Sequence, residues 1–325
     1  ACSAEALDPT GGGSWTLLPA TQVRRLPPLI LASLAGKLYA CGGIDDDRAP
    51  LRTAERFDPV RGSWEALPPM PLASRSGASS AVLAGKLYVC GGFDENHHPV
   101  STVERFDPAA NAWEPLPPMS APRHGAGIAV VQGKLYLCGG AGRGGSLKSV
   151  ERFDTEAGAW DPLPPMGTAR WGPAAAAIAG ALMVCGGFTK RGQPQRSAER
   201  FEPGSGVWAQ LPPMHEPRHA PASDVVAGRL YICGGLGVRQ FALRSAERFD
   251  PEAHAWQQLP PMSVPRYGPA ACVLEGRLYV CGGYGVKVKA LRVAEVFDPA
   301  TSTWESLPPM RAARGSVSVA TFRAF

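Results

Sequence analysis

Four sets of residues in this 325-residue sequence could do chemistry by their type. Six cysteines, Cys41, Cys90, Cys138, Cys185, Cys233 and Cys281, each precede a pair of glycines and invite a disulfide or metal reading. Glu55, Glu104, Glu151, Glu199, Glu247 and Glu295, the first five followed by Arg56, Arg105, Arg152, Arg200 and Arg248, look singly like acids and bases. His124 and His219 could hold a metal, and Asp224 could act as a base. The run from Ala141 to Lys148 is rich enough in glycine to be taken for a phosphate cradle.

Spacing argues against most of this. The Cys-Gly-Gly triplets follow one another at intervals of 49, 48, 47, 48 and 48 residues, so they mark copies of one unit. A residue present in every copy serves what the copies share, namely packing. Equivalent positions on neighbouring sheets lie roughly 10 Å apart, whereas a disulfide needs Cα atoms within about 7 Å. There is no Cys-x-x-Cys pair for zinc. The thiols therefore read as small buried hydrophobes, and a full set of free thiols implies a reducing, cytoplasmic setting. The repeated Glu and Arg read as structural pairs, because buried charges need partners. Two imidazoles without a third ligand make a weak metal site, and the glycine-rich run has neither a following helix nor a Gly-Lys-Ser/Thr. No catalytic residue, metal or cofactor is expected.

In the same phase Trp15, Trp64, Trp113, Trp160, Trp208, Trp256 and Trp304 recur, six of them leading into Leu-Pro-Pro-Met. Each unit resolves into four short strands. In the second unit these are small-residue Gly77 to Leu83, apolar Lys86 to Cys90, Thr102 to Phe106, and a fourth around Trp113 that stops at Pro117 and Pro118. With 38 Gly and 33 Pro, long helices are excluded; 45% apolar and 19% charged residues make a folded chain. A net charge of +5 without runs of like charge implies no nucleic-acid surface, and no stretch reads as a membrane span. Four-stranded units repeated radially form a β-propeller, with small residues on the crowded inner strands and a Trp filling each wider outer gap.

The glycine pair after an apolar strand, then Glu-Arg-Phe-Asp-Pro, then Trp and Pro-Met, resemble the kelch repeat across residues 4 to 323. Two features differ from it: Cys where an aliphatic residue is usual, and Val296 in place of Arg. The resemblance implies one all-β propeller over residues 1–325. It would have seven blades of four antiparallel strands: 23–70, 71–119, 120–166, 167–214, 215–262, 263–310, and a closing blade shared by 1–22 and 311–325. The tail strand, Gly315 to Phe322, would join Ser3 to Asp8 and Ser14 to Leu18. The second strand of that blade has no copy here, so residues upstream of Ala1 are expected to supply it. Six blades plus surplus strands is the alternative.

In such a ring the loops after the second and fourth strands share one end and line the channel mouth. Kelch substrate receptors bind there, which implies contact by the Arg before each inner strand and the residue after it. Here these are Arg75, Arg123, Arg170, Arg218 and Arg266, with Ser76, His124, Trp171, His219 and Tyr267. The second set varies between units, and its rings suit a binding hot spot. The long loops add charge: Asp45, Asp46, Asp47, Asp94 and Glu95 in blades one and two, against Arg143, Lys148, Lys190, Arg191, Arg196, Arg239, Arg244, Lys287, Lys289 and Arg292 in blades three to six. The expected function is a protein-interaction module binding an acidic segment of another protein. The resemblance suggests a substrate adaptor for a Cullin-3 ligase, although BTB and BACK domains have no counterpart in these residues, or a scaffold subunit of a larger assembly. The rival class is a kelch-like enzyme, a metal-dependent oxidase or a sugar-epimerising type.

Overall fold

The computed structural model describes residues 4–8, 14–72, 75–315 and 320–321. Among them are six four-stranded antiparallel sheets, each with its strands in chain order; in the third a two-stranded hairpin, Ala141–Gly142 against Gly145–Ser146, lies between the second and third strands. The second sheet shows the pattern: Ser79–Leu83, Lys86–Cys90, Val103–Asp107 and Ala112–Leu116, with Ala81 opposite Tyr88, Tyr88 opposite Arg105 and Phe106 opposite Trp113. Inner strands contact those of the neighbouring sheets in chain order, so the sheets are arranged radially as a β-propeller.

The second strand is buried in every sheet because it is covered on both faces; Leu87 to Cys90 are all buried. The core is accordingly a set of layers between sheets. One layer joins Tyr39 and Cys41 to Leu87, Val89 and Phe106 of the next sheet. Tyr39 lies 5.7 Å from Phe106, and Phe106 lies 5.1 Å from its own sheet's Trp113. The six repeat cysteines sit in such layers, free and fully shielded, and burial pushes each thiol up to about 12.

Each repeat tryptophan also ties two sheets together. The indole N–H of Trp64, Trp113, Trp160, Trp208, Trp256 and Trp304 donates to the carbonyl of Pro19, Pro68, Pro117, Pro164, Pro212 and Pro260 of the preceding repeat, at 2.7–2.9 Å. The sequence alone explains the Trp by bulk; the structure adds a directional bond.

The seventh sector holds a two-stranded sheet, Glu5–Leu7 against Trp15–Leu17. Six complete blades are therefore seen, with this pair in register with them: Trp15 donates to Pro308, and Glu5 accepts from Arg311, Ala312 and Arg314. Ala320 packs against the first blade's buried cluster of Leu38, Ala40, Phe57 and Trp64. The rest of the expected tail strand, residues 316–319 and 322, lies outside the described residues.

Candidate functional site

The repeated arginines before the inner strands build the scaffold of the mouth. Arg75 donates through Nε to Glu104 and through Nη1 to the carbonyls of Gly91 and Thr102 at 2.9 and 2.8 Å. Its carbonyl accepts the Gly43 N–H of the preceding blade. At Gly91 the next blade comes so close that a Cβ would stand 2.2 Å from the Arg123 carbonyl oxygen, so the glycine pair is a requirement of blade spacing. The pairs Arg25–Glu55, Arg75–Glu104, Arg170–Glu199 and Arg218–Glu247 close at 2.7–2.8 Å, and Arg123–Glu151 and Arg266–Glu295 repeat them.

This corrects two expectations. Arg75, Arg123, Arg170, Arg218 and Arg266 are at most 1% exposed, so they hold the blades and do not offer guanidinium groups to a partner. The repeated Glu pairs with this buried Arg and not with the Arg beside it, because adjacent strand residues point to opposite faces. Arg56 and Arg105 instead reach Glu65 and Glu114 on the outer strand. Burial lowers the Arg75 guanidinium against the opposing effect of Glu104. Burial would raise the Glu247 carboxyl, but the Arg218 charge and the His215 N–H hold it below its ordinary value.

The variable position after each arginine behaves differently. Ser76, His124, Trp171, His219 and Tyr267 each bridge the residue after the glycine pair: Phe93, Ala141, Phe188, Leu236 and Tyr284. His124 lies 4.0 Å from Phe93 and 5.4 Å from Trp171, and Trp171 lies 4.9 Å from His219. His219 stacks on Phe188 at 3.7 Å and 7°. The structure thus brings His124, Trp171 and His219 into one arc of rings with Phe93 and Phe188. Tyr267 stacks on Tyr284 in blade six at 5.2 Å. Ser76 is buried beneath the surface at 7% exposure.

A belt of backbone hydrogen bonds underlies the arc. Gly77 receives the N–H of Gly125, Gly125 that of Gly172, Gly172 that of Ala220, and Ala220 that of Gly268, at 2.9–3.2 Å. The rings lie directly on this belt: a Cβ at Gly125 would stand 2.6 Å from the Trp171 indole nitrogen, and one at Gly172 2.5 Å from His219. His219 Nδ1 is 2.9 Å from the Trp171 carbonyl, which can only accept, so Nδ1 carries the proton. Burial lowers both His124 and His219 to about 4, so both rings are neutral at pH 7.

Arg143, Arg191, Arg239 and Lys287 are exposed on the loops after the second strands, as are Asp46, Asp47 and Glu95. Asp46 pairs with Arg24 at 3.0 Å in solvent. Inside the channel Asp224 lines cavities of about 300 and 200 Å³, the larger with Ser33, Ser80 and Cys272. Burial raises its carboxyl above the ordinary value.

A family model for the KLHDC2/KLHL20/DRC7 kelch-repeats domain matches residues 30–235, and the kelch motif matches 217–263 and 265–311. The chain belongs to the kelch-repeat family. A solved structure titled "Structure of YjhT" aligns with this kelch propeller over 90% of the chain and 99% of its own, with a TM-score of 0.69. At 17% identity the likeness is one of fold. No curated protein sequence matches.

Phe93, Phe188 and Tyr284 are mouth residues of this kelch ring that the sequence reading passed over. Their signal was available: the position after each glycine pair reads Ile44, Phe93, Ala141, Phe188, Leu236, Tyr284, as variable as the one after the arginine.

Proposed function

We propose that this kelch propeller is a protein-interaction module that takes an acidic segment of a partner at the channel mouth. One observation carries the reading. Residues common to all blades are buried in Arg–Glu pairs, whereas those that differ form an arc of rings at one end, in which His124, Trp171 and Tyr267 are half-buried and His219 is buried among them. Rings held on a rigid backbone belt give large contact area at little cost in side-chain freedom. The basic loops of blades three to six, with Arg143, Arg191, Arg239 and Lys287 exposed, steer an anionic segment across the arc, and the acidic loops of blades one and two fix its direction.

The mechanism is recognition, with no bond made or broken. Family likeness supports a substrate adaptor, including one for a Cullin-3-type ligase, or a scaffold subunit. The free, buried thiols support a reducing, cytoplasmic setting. Binding to an array of acidic peptides, with charge-neutral scrambles alongside, tests the reading. The acidic set is captured, capture weakens with salt, and Trp171→Ala with Tyr267→Ala removes it while the thermal midpoint shows a folded ring. Undiminished capture by this double variant places the partner elsewhere.

A further inference from the structure

The loops after the second strands end in three different ways, blade three using a short strand pair, Ala141–Gly142 against Gly145–Ser146. In blades one, two and four a side chain closes the turn from within. Asp45 Oδ1 accepts the N–H groups of Asp47 and Ala49, Asp94 Oδ1 those of Asn96 and His98, and Thr189 Oγ1 those of Arg191 and Gln193, at 2.8–3.2 Å. In blades five and six glycine stands in that place. Gly237 and Gly285 donate to the carbonyls of Phe241 and Lys289 at 2.9 Å, and backbone alone closes the turn. A Cβ on either glycine would meet Leu243 or Leu291, at 2.8 and 3.0 Å.

These two tips expose apolar side chains: Val238 at 62%, Phe241 at 67%, Val286 at 68% and Val288 at 63%. Val288 is held at φ 57°, a left-handed conformation that a β-branched residue rarely adopts, so strain is spent where packing returns nothing. Arg239, Lys287 and Lys289 stand exposed among them, and residues 236–246 and 284–294 contain no acid. Other apolar residues of like exposure, such as Val60 and Val207, sit singly near the turns between third and fourth strands.

We propose that the tips of blades five and six form a membrane-docking edge for an anionic lipid surface. The four apolar side chains enter the headgroup boundary, and Arg239, Lys287 and Lys289 meet lipid phosphate and carboxylate groups. Apolar knobs interleaved with cations are what such a surface attracts. All four side chains are more than 60% exposed, and a fluid interface accommodates such side chains without a matching pocket. The acidic Asp46, Asp47 and Glu95 stand on blades one and two, and the N-terminal strand pair lies between blade six and blade one, so the docking edge carries no acid of its own. This edge adjoins the ring arc and shares Arg239 and Lys287 with the proposed protein site, whereas Trp171 and Tyr267 belong to the arc and Val238, Phe241, Val286 and Val288 to the edge.

Cosedimentation of the full chain with vesicles tests it. The chain pellets with phosphatidylcholine vesicles containing phosphatidylserine, pellets far less with phosphatidylcholine alone, and dissociates as salt rises. Phe241→Ser, Val286→Ser and Val288→Ser together weaken vesicle binding by roughly tenfold or more, as loss of the inserted area requires. Lys287→Glu with Lys289→Glu does the same through charge, while Trp171→Ala with Tyr267→Ala leaves it unchanged. No pelleting at low ionic strength, or equal pelleting by the triple serine variant, overturns the proposal. So does a triple variant that instead dissolves a dimer of the chain, or loses only an acidic peptide, since the tips would then contact protein.

Discussion

The indole N–H of Trp15 donates to the carbonyl of Pro308 at 2.7 Å, joining residues 293 apart in sequence. It is the same bond that Trp64 makes to Pro19 and Trp113 to Pro68, so the first strands of the chain occupy the ring position next to blade six. Glu5 completes the seam by accepting from the N–H groups of Arg311 and Ala312 and from Arg314. Glu5→Ala removes an acceptor from three donors and should lower stability by about 1–3 kcal/mol. Trp15→Phe loses one bond, about 1 kcal/mol. Denaturant unfolding checks both; a Glu5→Ala chain as stable as the parent would show that the seam carries no load.

The buried Arg–Glu pairs predict a sharp contrast with surface pairs. Glu104→Ala strands the Arg75 guanidinium in the interior and also leaves the Leu72 N–H without its acceptor. The cost should be about 3–5 kcal/mol. Lys86→Ala removes the half-exposed partner of Asp107 and should cost about 0–1 kcal/mol. Equal midpoint shifts for the two variants in urea would contradict the scaffold role given to the arginines.

The mouth histidines predict a pH dependence of stability. Both His124 and His219 are lowered from 6.5 to about 4, so unfolding takes up protons between these values. Their contribution is fully present above pH 6.5 and is lost as pH falls toward 4. His124→Asn with His219→Asn should flatten the stability profile across that window, read by unfolding at a series of pH values. Asn at 219 retains a donor for the Trp171 carbonyl.

Asp224 predicts the opposite sign. Burial raises its carboxyl above 3.8, so its contribution favours folding below that pH and is lost as pH rises through the folded-state value. Asp224→Asn keeps an acceptor for the Val225 N–H and should raise the thermal midpoint at pH 7. The gain should vanish below pH 3.8. A lower midpoint at pH 7 would mean the carboxylate is stabilised by a contact that burial does not describe.

The period of about 48 residues determined the strands, their order and the ring, because each blade repeats one solution to the same packing problem and writes it into the same positions. The cysteines as packing residues, the tryptophans at the outer gap and the variable residues at the mouth were legible for that reason. The partners of the charged groups were not. Glu55 has Arg56 beside it in sequence but faces Arg25, thirty residues earlier, because alternation along a strand turns neighbours to opposite sides. Nor does any sequence pattern reveal that the indole of Trp171 rests on the backbone of Gly125 in the blade before it. Periodicity records what each sheet needs from its own strands. Contacts between sheets depend on how closely and at what angle the blades meet, and only the closed ring decides that.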